Sequence, residues 1–281
     1  MADTPPARPV SRRNALALGA ATLGAASVLW AARPLTAPLP DGREIADLTW
    51  VELRSLVEHG FTTVLAPSGG IEQNGPHLVL GKHDRIVAEA ARRVAAALGR
   101  TLVAPVMSFV PQGDHARPSG NLRYPGTIGV TEEVFAGLLD GTARSLKAAG
   151  FRLICLMADH GGSQGVQREV AARLTREWSA EGVRVLSLDA YYADDAQRAW
   201  LAREGETPTS IGRHGGIQDT SELLAVYPAG VKLHRYRERP ALADTGTDGD
   251  PTRSSAERGD KLLTLRVEAA VAAVRAARGE A

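Results

Sequence analysis

Thr62-Thr63-Val64-Leu65-Ala66-Pro67-Ser68-Gly69-Gly70-Ile71-Glu72-Gln73-Asn74-Gly75-Pro76-His77-Leu78-Val79-Leu80-Gly81-Lys82-His83-Asp84 is the stretch on which the reading of this chain turns. Its first five residues, Thr62–Ala66, form a short apolar run of the kind that makes a buried strand. The segment from Gly69 to Asp84 is too rich in Gly and Pro to continue as a helix, and it gathers Glu72, Asn74, His77, His83 and Asp84 into one loop. Carboxylates and imidazoles at the C-terminal edge of a strand suit a metal site or acid–base chemistry. The plain alternative is a solvated polar loop between a strand and a helix.

Working outward from this segment, strands and helices alternate from about Ile45. Apolar runs at Thr62–Ala66, Leu102–Val106, Leu153–Met157 and Val183–Leu188 read as strands buried on both faces of a parallel sheet. Between them, Ile86–Leu98, Glu132–Ala149 and Gln167–Glu181 carry apolar residues at three- and four-residue spacing, as amphipathic helices do. Thr131 is a plausible N-cap ahead of Glu132 and Glu133, and Gly150 closes that helix. The alternation argues an α/β layered fold with right-handed crossovers. Ala241–Arg258 is polar and Gly/Asp-rich and reads as a long surface loop before a final helix at Lys261–Ala277. No internal repeat or linker divides residues 45–281, so one domain is expected there.

Ligands of a parallel α/β sheet bind beyond the carboxyl ends of its strands. Five of the seven histidines (His77, His83, His115, His160 and His214) fall in the polar segments expected at those ends. With them stand Asp159, Asp219 and the pair Tyr191-Tyr192. Trp200 and the two tyrosines are candidates to wall a pocket, although core packing is the commoner fate of such residues.

The 281 residues, 44% hydrophobic and 23% charged, are enough for a large core, and a net charge of +1 gives no reason to expect nucleic acid or an anionic membrane as partner. The single cysteine, Cys155, sits within an apolar run and reads as a buried strand residue. Ser11-Arg12-Arg13-Asn14 precedes an Ala/Gly/Leu-rich stretch to Ala32 without acidic residues. Residues 1–37 therefore resemble a twin-arginine export signal, which implies a periplasmic or exported protein, or a membrane-anchored one if the signal is uncleaved.

Four motifs in this order resemble the creatininase (creatinine amidohydrolase) family: Glu72-Gln-x-Gly-Pro-His77, Pro125-Gly126-Thr127, His160-Gly161-Gly162 and His214-Gly-Gly-x-x-Asp219-Thr-Ser. The resemblance implies a three-layer α/β/α sandwich with a mostly parallel sheet, a divalent metal at the strand ends, hydrolysis of a C–N bond in a small cyclic amide, and a homohexamer. It also implies Glu72, His160 and Asp219 as metal ligands and His214 as the group that protonates the leaving nitrogen. The chain departs from the family at two positions. Asn74 stands where the family has a histidine ligand, and His83 stands where it has an aspartate bridging two metals. A neutral imidazole offers one lone pair and cannot bridge two cations. Glu72, His83 and His160 are a two-His, one-carboxylate set that suits one ion, zinc above manganese or iron. Asn74, His77, Asp84, His115 and Asp159 are expected around the ligands or the substrate. A related lactonase or deformylase needs the same chemistry, and a non-catalytic metal- or ligand-binding periplasmic protein is the reading from a different class.

Overall fold

Alternation along the apolar runs builds two hydrophobic layers. In the computed structural model, which describes residues 42–238 and 245–280, the elements in chain order are α1 (Trp50–Glu58), β1 (Thr63–Ser68), α2 (Lys82–Leu98), β2 (Thr101–Val103), β3 (Val110–Pro111), β4 (Gly129–Val130), α3 (Glu132–Ala148), β5 (Leu153–Ala158), α4 (Gln164–Glu177) and β6 (Arg184–Ser187). The short helices α5 (Asp189–Tyr192), α6 (Asp195–Arg203) and α7 (Pro208–Ile211) follow, then α8 (Ile217–Val226), α9 (Leu233–Arg237) and the long α10 (Ala256–Arg278). The export-type segment, residues 1–37, lies outside the described residues.

Four parallel strands form the sheet in the order β2-β1-β5-β6, and β3 and β4 form a separate parallel pair. Successive side chains of a strand point to opposite faces. Leu153, Cys155 and Met157 of β5 therefore join Leu65 and the apolar faces of α2, α8 and α10 in one core. Ile154 and Leu156 join Val64, Ala66 and residues of α1, α3 and α4 in the other. The result is a three-layer α/β/α sandwich. Cys155 is fully buried, and burial pushes its thiol up to about 12.

Local chemistry sets the element ends. Thr131 caps α3, accepting from the Val134 N–H. β2 stops at Val103, two residues before Pro105, which has no N–H to give the ladder. A capping box, Thr49 with Glu52, starts α1, a helix marked by that signature alone.

Two expectations about loops are corrected. α2 begins at Lys82 and not at Ile86, so His83 and Asp84 lie on its first turn. The Gly/Pro punctuation ends at Gly81, and the apolar periodicity only becomes visible one turn into the helix. The segment before α10 is also not simply a surface loop. Residues 245–250 are largely half-buried, Pro251 is buried, and the helix starts at Ala256. The Asp248 N–H donates to the His214 carbonyl at 2.8 Å and the Asp250 N–H to the Ser210 carbonyl at 2.8 Å, so this segment braces the loop that carries His214.

Glu206 anchors the same region. Its buried carboxylate accepts from Arg253, Arg258 and Ser210 at 2.7, 2.7 and 2.8 Å. Burial pushes its pKa up, but these donors outweigh burial and hold it at about 2. A depressed carboxylate contributes stability that is present above its unfolded pKa near 4.5 and is lost as pH falls through about 2. Glu206→Gln is expected to lower the unfolding free energy at pH 7 by about 3 kcal/mol, the scale of a broken buried pair. Urea denaturation of both proteins should show that difference shrinking as pH drops below about 4.5.

Candidate active site

Two strand ends meet at the site. β1 and β5 pair in register from Thr63↔Leu153 to Ser68↔Ala158, and the Asp159 N–H donates to the Ser68 carbonyl at 2.9 Å. The loop after β1 and the residues after β5 therefore leave the sheet side by side. Gly69 lets the first of these turn against α2, because a Cβ there would sit 2.1 Å from Asp84 Oδ1. The Asp84 carboxylate holds the turn by accepting from the Gly70 N–H at 2.9 Å.

Glu72 is the centre of the arrangement. Its carboxylate is buried, with Oε1 2.6 Å from His83 Nε2 and Oε2 2.8 Å from His160 Nε2. Asn121 donates to Oε2 at 2.5 Å. The two imidazole rings stand nearly perpendicular, at 87°. Burial works against charge on Glu72, but the charge on His83 and the hydrogen bonds from His160 and His83 prevail, and Glu72 is held far below the usual carboxylate range. Burial and the Lys82 charge push His83 down, yet Glu72 and Asp159 on its two nitrogens outweigh them and bring it up to about 9.

Asp159 fixes the orientation of His83. Its Oδ2 is 2.8 Å from His83 Nδ1, and its Oδ1 accepts from the Tyr191 hydroxyl at 2.8 Å and from Arg266 at 2.5 Å. Burial opposes its charge, but Arg266 and His83 hold Asp159 well below its ordinary pKa. Arg266 reaches in from α10, with Glu222 as a second carboxylate partner at 2.9 Å and the Tyr191 carbonyl at 3.0 Å. Gln197 completes Glu222 at 2.6 Å.

The opposite wall comes from the 213–219 loop and α8. His214 Nε2 lies 2.8 Å from the Gln73 carbonyl and 3.1 Å from the Gln73 side-chain amide nitrogen; in the tautomer that donates Nε2–H to the carbonyl, Nδ1 carries the lone pair. Asp219 accepts from Lys82 Nζ at 2.8 Å and from the Gly215 N–H at 2.6 Å. Gly215 has φ +63°, and a Cβ there would strike the Asn74 carbonyl, so this turn needs glycine. The resulting cleft, about 220 Å³, is lined by Glu72, Lys82, His83, Asn121, Asp159, His160, Tyr192, Arg213, His214, Asp219 and Arg266. A neighbouring cleft of about 290 Å³ shares Tyr192, Arg213, Asp219 and Arg266 with it.

Of the sequence-derived candidates, Glu72, His83, His160, Asp159, Asp219 and His214 share this cleft. The other four do not line it. Asn74 is buried, donating to the Glu72 carbonyl, while its Oδ1 has no partner among the described residues. His77 is buried against Thr220 Oγ1 at 2.9 Å and the Tyr236 ring, where it supports the start of α8. Asp84 closes the Gly70 turn, and His115 sits exposed on the Gly129 carbonyl at 3.1 Å. Tyr192 lines the cleft, whereas Trp200 packs on the small cluster of Leu201, Ile211, Ile217 and Leu262. Lys82, Asn121 and Arg266 also line the cleft, with no signal in the sequence to mark them. They come from a helix start, a turn and the last helix, and none carries a motif.

Among the described residues no group of three or more His, Cys, Asp or Glu is spaced to hold a cation. The donors at Glu72 touch one another, whereas a tetrahedral ion with bonds near 2.0–2.1 Å separates its donors by about 3.3 Å. In kind they fit one ion well: a carboxylate facing two imidazole nitrogens, one of them oriented from behind by Asp159. They do not fit two ions, because no carboxylate bridges the cleft and Asp219 is already paired with an ammonium.

Comparison with known proteins identifies the family and the fold. A family model described as "Creatininase: Creatinine amidohydrolase" matches residues 46–274. The chain is 28% identical over 251 residues to a creatinine amidohydrolase of Pseudomonas putida, covering 82% of this chain and 95% of that protein. It is 28% identical over 232 residues to a mycofactocin precursor peptide peptidase of Mycobacterium tuberculosis, covering 73% and 82% respectively. A solved manganese form of creatininase superposes with a TM-score of 0.68 at 26% identity, covering 83% of this chain and 98% of that one. A mutant creatininase of Zn–Zn type gives the same score and identity, covering 84% and 98%.

Among the described residues Arg266 is the only guanidinium on two buried carboxylates of this site, Asp159 and Glu222. Arg266→Met is expected to lower stability by about 3–5 kcal/mol, because two buried carboxylates lose the guanidinium they share. Denaturant unfolding followed by circular dichroism measures this.

Proposed function

The chain belongs to the creatininase family, and on that premise we propose that it hydrolyses an amide C–N bond in a small substrate, cyclic amides first among them, with one divalent ion held by Glu72, His83 and His160. The observation that carries this reading is the convergence of His83 Nε2 and His160 Nε2 on the Glu72 carboxylate at the floor of the cleft. Relatives named for an amidohydrolase and for a peptidase both act on amide bonds, which supports the reaction class. Zinc suits two imidazoles and one carboxylate best, with manganese and iron as the other candidates.

When bound, such an ion polarises a carbonyl oxygen and makes water acidic enough to attack near neutral pH. The residues of the chain do the rest. Asp159, itself fixed by Tyr191 and Arg266, holds His83 Nδ1 and so aims Nε2 at the cleft. His214, anchored through Nε2 to the Gln73 carbonyl, keeps Nδ1 as a base that takes a proton and returns it to the leaving nitrogen. The Tyr192 hydroxyl, pushed up to about 12 by burial and by the carboxylates around it, stays a neutral donor on the cleft wall. Asn121 donates to Glu72 Oε2 and keeps that carboxylate in place. The twin-arginine-type segment supports a periplasmic or exported location.

A second reading, a ligand-binding protein on the same scaffold, draws on the closed spacing at Glu72. Elemental analysis and an amidase screen with and without chelator separate the two. Metal-free protein that binds small molecules without turnover would refute the hydrolase.

His160→Ala is expected to lose the ion, since two donors are too few for a tight site. Retention of wild-type metal content would remove His160 from the ligand set. His214→Asn is expected to keep fold and metal while kcat falls about 10²–10⁴-fold, the usual effect of losing a general acid–base group. Unchanged kcat on the substrate found in the screen would make His214 structural.

A further inference from the structure

We propose that the Lys82 ammonium, held against Asp219, is a built-in cation that bars a divalent ion from that side of the cleft, so that the chain takes one such ion and not two. The proposal rests on reading Glu72, His83 and His160 as the ligands of that one ion.

Three carboxylates line the cleft, and each is neutralised differently. Asp159 faces the Arg266 guanidinium, which does not lose its proton in proteins. Asp219 faces Lys82 Nζ at 2.8 Å. Glu72 faces only imidazoles and the Asn121 amide. An imidazole nitrogen can present a lone pair to a cation, so the Glu72 cluster holds donors for one ion. An ammonium offers no lone pair. An ion on Asp219 would have to evict it or stand beside it as a like charge, which is unfavourable at short range in a desolvated cleft.

Eviction is obstructed by the fold. Lys82 is 1% exposed, and its backbone is fixed in the first turn of α2, its N–H donating to the Val79 carbonyl at 3.1 Å. The other Asp219 oxygen is taken by the Gly215 N–H. Lys82 and His83 are consecutive on a helix, so their side chains diverge by about 100°. One therefore reaches Asp219 while the other reaches Glu72. A single helical turn thus supplies an ion donor and a fixed positive charge to opposite walls. An ammonium also has three donors, and Asp219 is the one acceptor recorded for it among the described residues, which leaves N–H groups for an oxygen of the substrate.

The test counts ions on the full chain. Metal-depleted wild type, Lys82→Gln, Lys82→Arg, Asp219→Asn and Glu72→Gln are equilibrated by dialysis against zinc and, separately, manganese, and the ion content per chain is measured by elemental analysis. Wild type, Lys82→Arg and Asp219→Asn are expected to hold one ion, and Lys82→Gln, in which Asp219 is released, to approach two. Glu72→Gln is expected to hold none. Two ions on the wild type would overturn the proposal. So would one ion that survives Glu72→Gln but is lost in Asp219→Asn. A folded Lys82→Gln with the wild-type count would also overturn it. If circular dichroism shows Lys82→Gln unfolded, Lys82→Met, which removes the charge and keeps an aliphatic stem, is counted in its place: a second ion is expected, and a folded Lys82→Met with the wild-type count would overturn the proposal. Wild type with no ion, alongside Lys82→Gln with one, would refute the Glu72 ligand set while supporting the role of Lys82.

Discussion

The parallel pairing of Thr63–Ser68 with Leu153–Ala158 is the constraint on which the rest of the molecule depends. The six aligned pairs end at one level, and the Asp159 N–H extends the ladder to the Ser68 carbonyl. The chain after each strand must then leave the sheet at the same edge, where Glu72 and His160 meet within hydrogen-bonding distance. A one-residue slip would send the alternating side chains of β5 to the wrong layers, and both cores would resist it. Register in the sheet is therefore register in the site.

What stands at that edge is a buried polar cluster, and such clusters are stable only when their members are paired. Glu72, His83, Asp159, Tyr191, Arg266, Glu222 and Gln197 form a continuous series of contacts from the β1 loop to α10. Removing any one partner leaves another charge or donor desolvated. Burial, with the Asp159 and Asp219 charges, raises Glu222, and its guanidinium and amide partners only partly oppose that. The last helix is thus an integral part of the site, some 180 residues beyond the first ligand in the chain.

The scaffold tolerates wide change in sequence. The fold superposes on solved creatininases at a TM-score of 0.68 while identity is 26%. Layer packing tolerates exchange among apolar residues of similar volume, whereas a change of donor alters charge and geometry at once. In this chain Lys82 on Asp219 and Arg266 on Asp159 place fixed cationic side chains on the walls of the cleft.

Much of the architecture was legible in the sequence because burial on both faces leaves apolar runs and amphipathic helices leave periodicity. Those two signals located β1, β5, β6, α3 and the body of α2, and the polar segments after β1 and β5 located Glu72 and His160 at one edge of the sheet, whereas His214 follows α7 and not a strand. The first turn of α2 was not legible, since Gly81 caps it without a side-chain signature and its apolar face begins only at Ile86. The bracing segment at residues 245–250 was not legible either, because polar, Gly-rich chain looks the same whether it faces water or packs on the His214 loop. The sequence by itself determined the layered α/β fold and the residue types available for chemistry. Only the tertiary structure decided which polar side chains meet: Lys82 on Asp219, Arg266 on Asp159, and Asn121 on Glu72. Partners separated by tens to more than a hundred residues are chosen by where helices pack on the sheet, and local pattern carries no record of that choice.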